Sequence, residues 1–258
     1  MNCIETERQG KTAIVRFSRE KSYNAMNDEL ITEFAQTVGL IEESDVRTVI
    51  LTGKGKAFSA GGDVTSMRNI AQAERGKFFN SLTVPLHEAI AGIVKSEKIW
   101  IAAVNGIAAG AGVSTALACD ITVASRDTKF ILSYEKIGLS PDGGATFFLN
   151  QLLGFKKAIE IIIMDPAIDA EEALRLNIIN QCFEPEHLIE EALKIAKQIN
   201  EKSFDAVSAS KKLVRASYLE ALKMQLDREA KSIAKMAQTR NAEIGINAFM
   251  EKRLPKFR

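Results

Sequence analysis

The sequence is poor in the residues that build metal sites and disulfide frameworks. Its two histidines, His87 and His187, share no spacing typical of metal ligands, which disfavours a His-rich metal site. Its three cysteines, Cys3, Cys119 and Cys182, are odd in number, widely scattered and free of any CxxC pattern. This usage is typical of reduced thiols in a cytosolic protein. We therefore expect no bound metal and no disulfide.

The chain also lacks a charge excess and a long apolar run. Lys and Arg number 34 against 33 for Asp and Glu, so no broad attraction to nucleic acid or to a membrane surface is indicated. No apolar stretch is long enough to span a bilayer, and the N-terminus does not have the pattern of a signal peptide. The sequence predicts a cytoplasmic protein with neither nucleic acid nor membrane as partner. At 258 residues it is long enough to bury a substantial core.

Short apolar runs alternate with helical patterns, which predicts an α/β fold with mostly parallel strands. Asn27 or Asp28 is a plausible cap for a helix whose apolar residues recur at helical spacing. From residue 171 onward the pattern changes to charged, amphipathic helices with almost no glycine. We expect a core at residues 1–200 and a helical region at 201–258. The predicted strands lie at residues 12–17, 46–52, 99–104, 121–124 and 129–132.

Two loops of small residues each follow a predicted strand and end near a helix start, at residues 56–63 and 108–112. Glycine and alanine let a ligand approach the backbone, and a helix start offers unpaired N–H groups at the positive end of its dipole. Two N–H groups that converge on one oxygen form an oxyanion hole. The glycines fit neither GxGxxG nor a Walker loop, which disfavours nucleotide binding.

These loops and three further segments resemble the crotonase family, also called the enoyl-CoA hydratase/isomerase family. The resemblance covers essentially the full length, and five motifs follow one another at the family's spacing. It implies an α/β spiral of repeated ββα units, a C-terminal helical oligomerisation region, and a homotrimer or a dimer of trimers. The motifs are residues 19–26 (REKSYNAM), 58–63 (FSAGGD), 103–112 (AVNGIAAGAG), 138–144 (GLSPDGG) and 248–253 (AFMEKR).

The resemblance also implies a substrate and site residues. The substrate is an acyl-CoA, with coenzyme A as part of the thioester and no separate cofactor. The N–H groups of Gly62 and Ala111 would bind the thioester oxygen, and Ala111 agrees with a helix start that favours an enolate. The residues that the resemblance places along the coenzyme A are Lys21, Ser22, Tyr23, Ala60 and Gly61, with Lys252 and Ile233 reaching the coenzyme A of a neighbouring subunit.

The chain departs from the family's hydratases, which use two glutamates to position and activate water. It has Ser114 at the first position and Tyr134 at the second, and both are poor general bases at neutral pH. Glu135 adjoins Tyr134, but a shift of one residue on an extended segment turns a side chain to the opposite face. Asp142 falls where related isomerases of the family place an acid/base. An apolar pocket would raise its pKa toward the working range.

The sequence therefore predicts an acyl-CoA isomerase, most like the branch of epoxyphenylacetyl-CoA and enoyl-CoA isomerases, with Asp142 as acid/base. Three alternatives remain open: an enoyl-CoA hydratase, a hydrolase or dehalogenase of the same family, and a catalytically quiet CoA-binding subunit. Four further residues are predicted to be structural. They are Asp63 as a helix cap, Asp120 as a hydrogen-bonding group, His87 as a packed or surface side chain, and Trp100 in the core.

Overall fold

The computed structural model describes residues 3–68 and 70–257, which contain ten strands and ten α-helices. The strands are β1 (Ile4–Gln9), β2 (Thr12–Phe17), β3 (Thr48–Gly53), β4 (Ala57–Ser59), β5 (Ile99–Val104), β6 (Ile107–Ala109), β7 (Ile121–Ser125), β8 (Lys129–Ile131), β9 (Ile168–Asp169) and β10 (Gln181–Phe183). The helices are α1 (Asp28–Glu43), α2 (Val64–Met67), α3 (Arg75–Lys95), α4 (Ala111–Ala118), α5 (Ala145–Met164), α6 (Ala170–Arg175), α7 (Leu188–Asn200), α8 (Phe204–Ala216), α9 (Leu219–Ala237) and α10 (Arg240–Met250).

The strands form two sheets. The larger has the order β1-β2-β3-β5-β7-β10 and is parallel except for the β1–β2 pair. The smaller has the order β4-β6-β8-β9 and is parallel except for the β8–β9 pair. Three times in succession, a strand of the larger sheet is followed by a strand of the smaller sheet and then by a helix. This is the repeated ββα arrangement expected from the resemblance, and the predicted parallel pairing is confirmed.

The predicted strands and the first helix are found close to their expected bounds. Strand β5 is buried along its whole length, because helices cover a parallel sheet on both faces. Asn27 caps α1, since its side chain accepts the N–H of Leu30 at 3.0 Å. Phe34 on the buried face of α1 packs edge-on against Phe17, with ring centroids 5.2 Å apart. Trp100 is fully buried in the core, as predicted.

The helices after residue 200 cover the core of their own chain. Helix α9 packs along α3, and α10 packs against the turn that follows Tyr134. Asp120 holds α8 in place through its carboxylate, which lies 2.9 Å from Lys211 Nζ and 2.6 Å from Arg215 Nη2. Asp120 also accepts the N–H of Trp100, so its predicted structural role is confirmed. Among the helices of residues 3–68 and 70–257, none combines the length and apolar character that crossing a bilayer requires.

Candidate active site

A cavity of about 610 Å³ lies between the two small-residue loops, helix α3 and the segment from Leu132 to Asp142. Its walls are largely apolar, with Phe79, Leu82 and Leu86 contributed by α3. The cavity brings most of the predicted site residues together. The predicted site residues that contribute to its lining are Lys21, Ser22, Tyr23, Ala60, Gly61, Gly62, Ala111 and Asp142. Lys252 does not contribute to this lining and is exposed beyond the end of α10.

The two small-residue loops pack backbone against backbone. Gly61 has φ +80°, and a Cβ on it would lie 2.6 Å from the carbonyl oxygen of Ala109. A Cβ on Gly112 would lie 2.7 Å from the carbonyl oxygen of Ser59. Only glycine permits these approaches, which set the backbone of Gly62 and of Ala111 at the same cavity.

The N–H of Ala111 stands at the first position of α4, where no carbonyl of the helix accepts it and the dipole favours negative charge. Gly62 pairs with Met26 in a parallel β-bridge, in which the bonds run from Met26 N–H to Gly61 and from Asp63 N–H to Met26. The N–H of Gly62 takes no part in those two bonds. The role of both N–H groups toward a thioester oxygen stays a prediction.

The segment of residues 19–26 is tied to the first loop by a buried polar side chain. Asn24 donates to the carbonyl of Ala57 at 2.7 Å and accepts the N–H of Arg19 at 2.9 Å. The guanidinium of Arg19 lies 3.1 Å from the carboxylate of Asp63. Asp63 also accepts the N–H of Thr65 at 3.1 Å, so it caps α2 as predicted. Its carboxylate is therefore occupied by structural partners.

Asp142 is buried against the cavity and is held by a tyrosine. The hydroxyl of Tyr134 donates to Asp142 Oδ1 at 2.5 Å. Burial raises the pKa of Asp142 above its ordinary value, in the direction predicted, although His87 and the Tyr134 hydrogen bond act against the rise. Burial and the neighbouring Asp142 raise the pKa of Tyr134 well above its ordinary value. Tyr134 therefore remains a neutral hydrogen-bond donor to the carboxyl group of Asp142.

Ser114 does not line the cavity. Its hydroxyl donates to the backbone carbonyl of Asp142 at 2.8 Å, and the side chain is fully buried. A Cβ on Gly143 would lie 2.7 Å from the Cβ of Ser114, so the turn after Asp142 packs directly on this serine. A longer side chain at position 114 would have to displace that turn. Packing against this turn therefore explains why the side chain at position 114 is small.

Two residues near Asp142 have contacts that the sequence patterns do not indicate. His87 is packed, as expected, and its Nε2 accepts the N–H of Gly143 at 2.9 Å. Glu229 on α9 accepts the N–H of Gly144 at 2.6 Å and that of Thr146 at 3.0 Å. Glutamate is ordinary on an amphipathic helix, but Glu229 lies on the buried side of α9 together with Leu226 and Ile233. A glutamate at a position of the helix pattern that is otherwise apolar is the sequence signal that could have indicated this buried role.

Glu135 lies outside the lining of the cavity. The expectation that it stands on an extended segment is wrong, because Tyr134 is helical and Glu135 begins a single 3₁₀ turn. That turn is fixed by α10, since a Cβ on Gly245 would lie 2.4 Å from the carbonyl carbon of Ile137. Ile233, expected to reach a neighbouring subunit's ligand, contributes to the lining of its own chain's cavity.

One group of possible metal ligands occurs in the described part of the chain, where ligand atoms of Cys3, Glu29 and Glu33 lie within 4.8 Å of one another. Glu33 accepts the N–H groups of Cys3 and Ile4 at 2.7 and 3.0 Å, so its carboxylate anchors the first strand. Burial, helped by Glu29, raises the pKa of the Cys3 thiol to about 11. These contacts are those of a structural anchor, and none of the three ligand residues lines the cavity.

Comparison with known proteins agrees with this architecture. The sequence profile of the enoyl-CoA hydratase/isomerase family matches residues 7–258. A probable mitochondrial enoyl-CoA hydratase of Dictyostelium discoideum is 34% identical over 251 residues, covering 97% of this chain and 88% of that protein. The 1,2-epoxyphenylacetyl-CoA isomerase of Escherichia coli is 30% identical over 249 residues, covering 93% and 92%.

The fold is shared as well. The crystal structure of an enoyl-CoA hydratase from Mycobacterium avium subsp. paratuberculosis superposes with a TM-score of 0.89 at 25% identity, covering 99% of this chain and 98% of that one. The relatives include proteins named hydratases and a protein named an isomerase, so the comparison establishes the family and leaves the reaction open. This chain belongs to the enoyl-CoA hydratase/isomerase family and has the crotonase fold.

Proposed function

We propose that the protein is an acyl-CoA isomerase that shifts a double bond, with Asp142 as the acid/base. The observation that carries the proposal is the number of partners that each carboxyl group of the cavity lining has. Asp63 is occupied by Arg19 and by the cap of α2, whereas Asp142 accepts one side-chain hydrogen bond on Oδ1. Within the described residues Oδ2 of Asp142 has no hydrogen-bond partner, so it is the atom available to a substrate proton.

The reaction is a transfer of one proton between two carbons. Asp142 Oδ2 takes a proton from a carbon of the acyl chain, and the electron pair of that C–H bond moves into the conjugated thioester. The negative charge collects on the thioester oxygen, where the N–H groups of Gly62 and Ala111 would stabilise it. Asp142 then delivers a proton to a carbon two positions away. No net charge is left, and the double bond has moved.

The raised pKa of Asp142 suits this task, because a carboxyl group that both accepts and delivers a proton works best when its pKa lies near the operating pH. Tyr134 holds the carboxyl group through Oδ1 and leaves Oδ2 free to accept a proton. The apolar side chains of α3 lower the local dielectric constant of the cavity, which strengthens the electrostatic interactions at the thioester.

The names of the hydratase relatives make hydration the second candidate. Hydration in this family needs two glutamates, and this chain offers neither at the corresponding positions. Ser114 is covered by the turn after Asp142, and the hydroxyl of Tyr134 is engaged by the Asp142 carboxyl. These contacts support isomerisation over hydration.

The experiment follows wild type and Asp142→Asn in two reactions. Conversion of 3-enoyl-CoA to 2-enoyl-CoA is measured for short, long and aromatic acyl chains, and hydration of crotonyl-CoA is measured in parallel. We expect isomerisation in the wild type and a fall of about 10²- to 10⁴-fold in the variant, which is the usual contribution of a general acid/base. Full activity of Asp142→Asn, or faster hydration than isomerisation in the wild type, would contradict the proposal.

Deuterium exchange separates an enolate-forming enzyme from a quiet binding subunit. The wild type should wash deuterium from heavy water into the acyl chain next to the thioester, and Asp142→Asn should not. Tight binding of the acyl-CoA without any exchange would identify a binding subunit instead.

We also infer that the protein forms a homotrimer or a dimer of trimers. The support is a row of exposed apolar side chains on α5, where Phe155 and Met164 are each 72% exposed and Ile163 is 64% exposed. Such a row is expected to be covered by another subunit. Light scattering at micromolar concentration tests this, and a monomer would contradict it.

A further inference from the structure

The turn that follows Asp142 has one backbone hydrogen bond of its own, from the N–H of Ala145 to the carbonyl of Asp142 at 3.2 Å. Gly143 and Gly144 have φ +66° and +82°, so two consecutive residues occupy the left-handed region. Gly144 is also the cap residue of α5 and has no side chain with which to satisfy the helix start. Two glycines in succession cost conformational entropy when they are ordered, so such a turn needs partners from elsewhere in the fold.

Helix α9 supplies one partner. Glu229 uses both carboxylate oxygens: Oε2 accepts the N–H of Gly144, and Oε1 accepts both the N–H and the hydroxyl of Thr146. Gln225, one turn earlier on α9, donates to the Thr146 hydroxyl at 2.9 Å. Glu229 is 3% exposed, so these bonds are made out of reach of water. A carboxylate at this helix start also complements the dipole of α5.

Helix α3 supplies the second partner. Nε2 of His87 accepts the N–H of Gly143, so the proton of the neutral ring must be on Nδ1. Burial lowers the pKa of His87, which keeps the ring neutral and keeps Nε2 an acceptor. The imidazole therefore connects α3 to the turn.

We propose that Glu229 and His87 are positioning residues, which fix the Gly143–Thr146 turn from two helices and thereby aim the Asp142 carboxyl at the acyl chain. The inference rests on the proposed role of Asp142. Neither side chain belongs to the lining of the cavity, so each acts through the turn rather than on the substrate. The hydroxyl of Ser114 donates to the backbone carbonyl of Asp142, and the hydroxyl of Tyr134 donates to its carboxyl group. Asp142 and the turn after it are therefore held by four side chains from different parts of the chain.

Two pairs of variants test the proposal. His87→Gln keeps an acceptor for Gly143, whereas His87→Leu removes it. Glu229→Gln keeps one acceptor oxygen and loses the other, and Glu220→Gln changes an exposed glutamate on the same helix. We expect kcat for isomerisation to fall about 10- to 100-fold in His87→Leu and in Glu229→Gln, since a misplacement of about 1 Å has that effect. KM for the acyl-CoA should stay unchanged, and His87→Gln should recover most of the loss.

A double-mutant cycle separates positioning from loss of folded protein. In an Asp142→Asn background, His87→Leu and Glu229→Gln should cause no further fall in the residual rate, because the group that they position is already gone. A fall of equal size in both backgrounds, or kcat values equal to that of Glu220→Gln, would overturn the proposal. If Asp142→Asn itself retains full activity, the proposed function fails. If it loses activity while His87→Leu and Glu229→Gln keep theirs, only the positioning role fails.

Discussion

Replacing Glu229 by glutamine should reduce the dependence of stability on pH between pH 5 and pH 8. Burial raises the pKa of this carboxyl group from 4.5 to about 7, because the charged form is desolvated and lies near Asp142. Between these two values the native state holds a proton that the unfolded chain has released. The native state therefore binds more protons, and its stability falls as the pH rises through this window.

The size of the effect follows from the two pKa values. For a single group with pKa 4.5 in the unfolded state and about 7 in the native state, linkage gives a loss of about 2–3 kcal/mol between pH 5 and pH 8. Glutamine cannot titrate, so this loss disappears in the variant. The N–H of Gly144 loses its acceptor, which costs about 1–3 kcal/mol at every pH and leaves the slope unchanged.

Urea unfolding at fixed protein concentration measures the effect. Trp100 is the single tryptophan of the chain and is fully buried, so its fluorescence reports on unfolding. Asp142 and His87 are present in both proteins, so the difference between their plots of unfolding free energy against pH reports on the carboxyl group of Glu229 together with its electrostatic coupling to Asp142. Glu220→Gln, an exposed change on the same helix, should leave the wild-type slope intact. If the free energy of unfolding has the same pH dependence in the wild type and in Glu229→Gln, the reasoning is refuted.

Three further substitutions test the contacts of Asp120, Ser114 and Tyr134. Asp120→Asn leaves the two cations of α8 buried without a countercharge and should lower the free energy of unfolding by about 3–5 kcal/mol in urea titrations. Ser114→Glu should lower stability and produce no hydration of crotonyl-CoA, because the Gly143 turn occupies the space that the new carboxyl group needs. Tyr134→Phe removes a hydrogen bond that lowers the pKa of Asp142, so the acidic limb of the kcat–pH profile should move to higher pH; an unmoved limb would exclude this coupling.

Much of the larger sheet could be predicted from the sequence, because its central strands are short continuous apolar runs. Strand β1 could not, since one of its six residues is buried and the other five are exposed, which leaves no alternation to detect. Helix α5 is obscured by Gly154, whose φ +74° and ψ +164° interrupt the helix in its middle. In both elements the stabilising contacts come from distant residues, and a local pattern does not show them.

The site divides in the same way. The loops at Gly61 and Gly112 are visible in the sequence because close backbone approach demands small residues at fixed places. Asp142 is visible only through the motif around it. Glu229 is 85 residues away from the Gly144 N–H that it accepts, so no local spacing could connect the two. The sequence indicates the groups that are proposed to contact a substrate, and it does not indicate the distant groups that hold them in place.

This division bears on how one fold supports several reactions. The proposed oxyanion donors at Gly62 and Ala111 are backbone groups set by loop packing, so side-chain substitutions elsewhere leave them in place. The proposed acid/base, Asp142, lies on a different segment, which is held by Ser114, Tyr134 and the carboxyl group of Glu229 on α9. Because residue 114 is a serine, the turn at Gly143 packs directly against α4, and Asp142 at the start of this turn lines the cavity. A longer side chain at position 114 would therefore displace the turn next to Asp142, whereas the backbone groups of Gly62 and Ala111 that would stabilise the enolate do not depend on that turn.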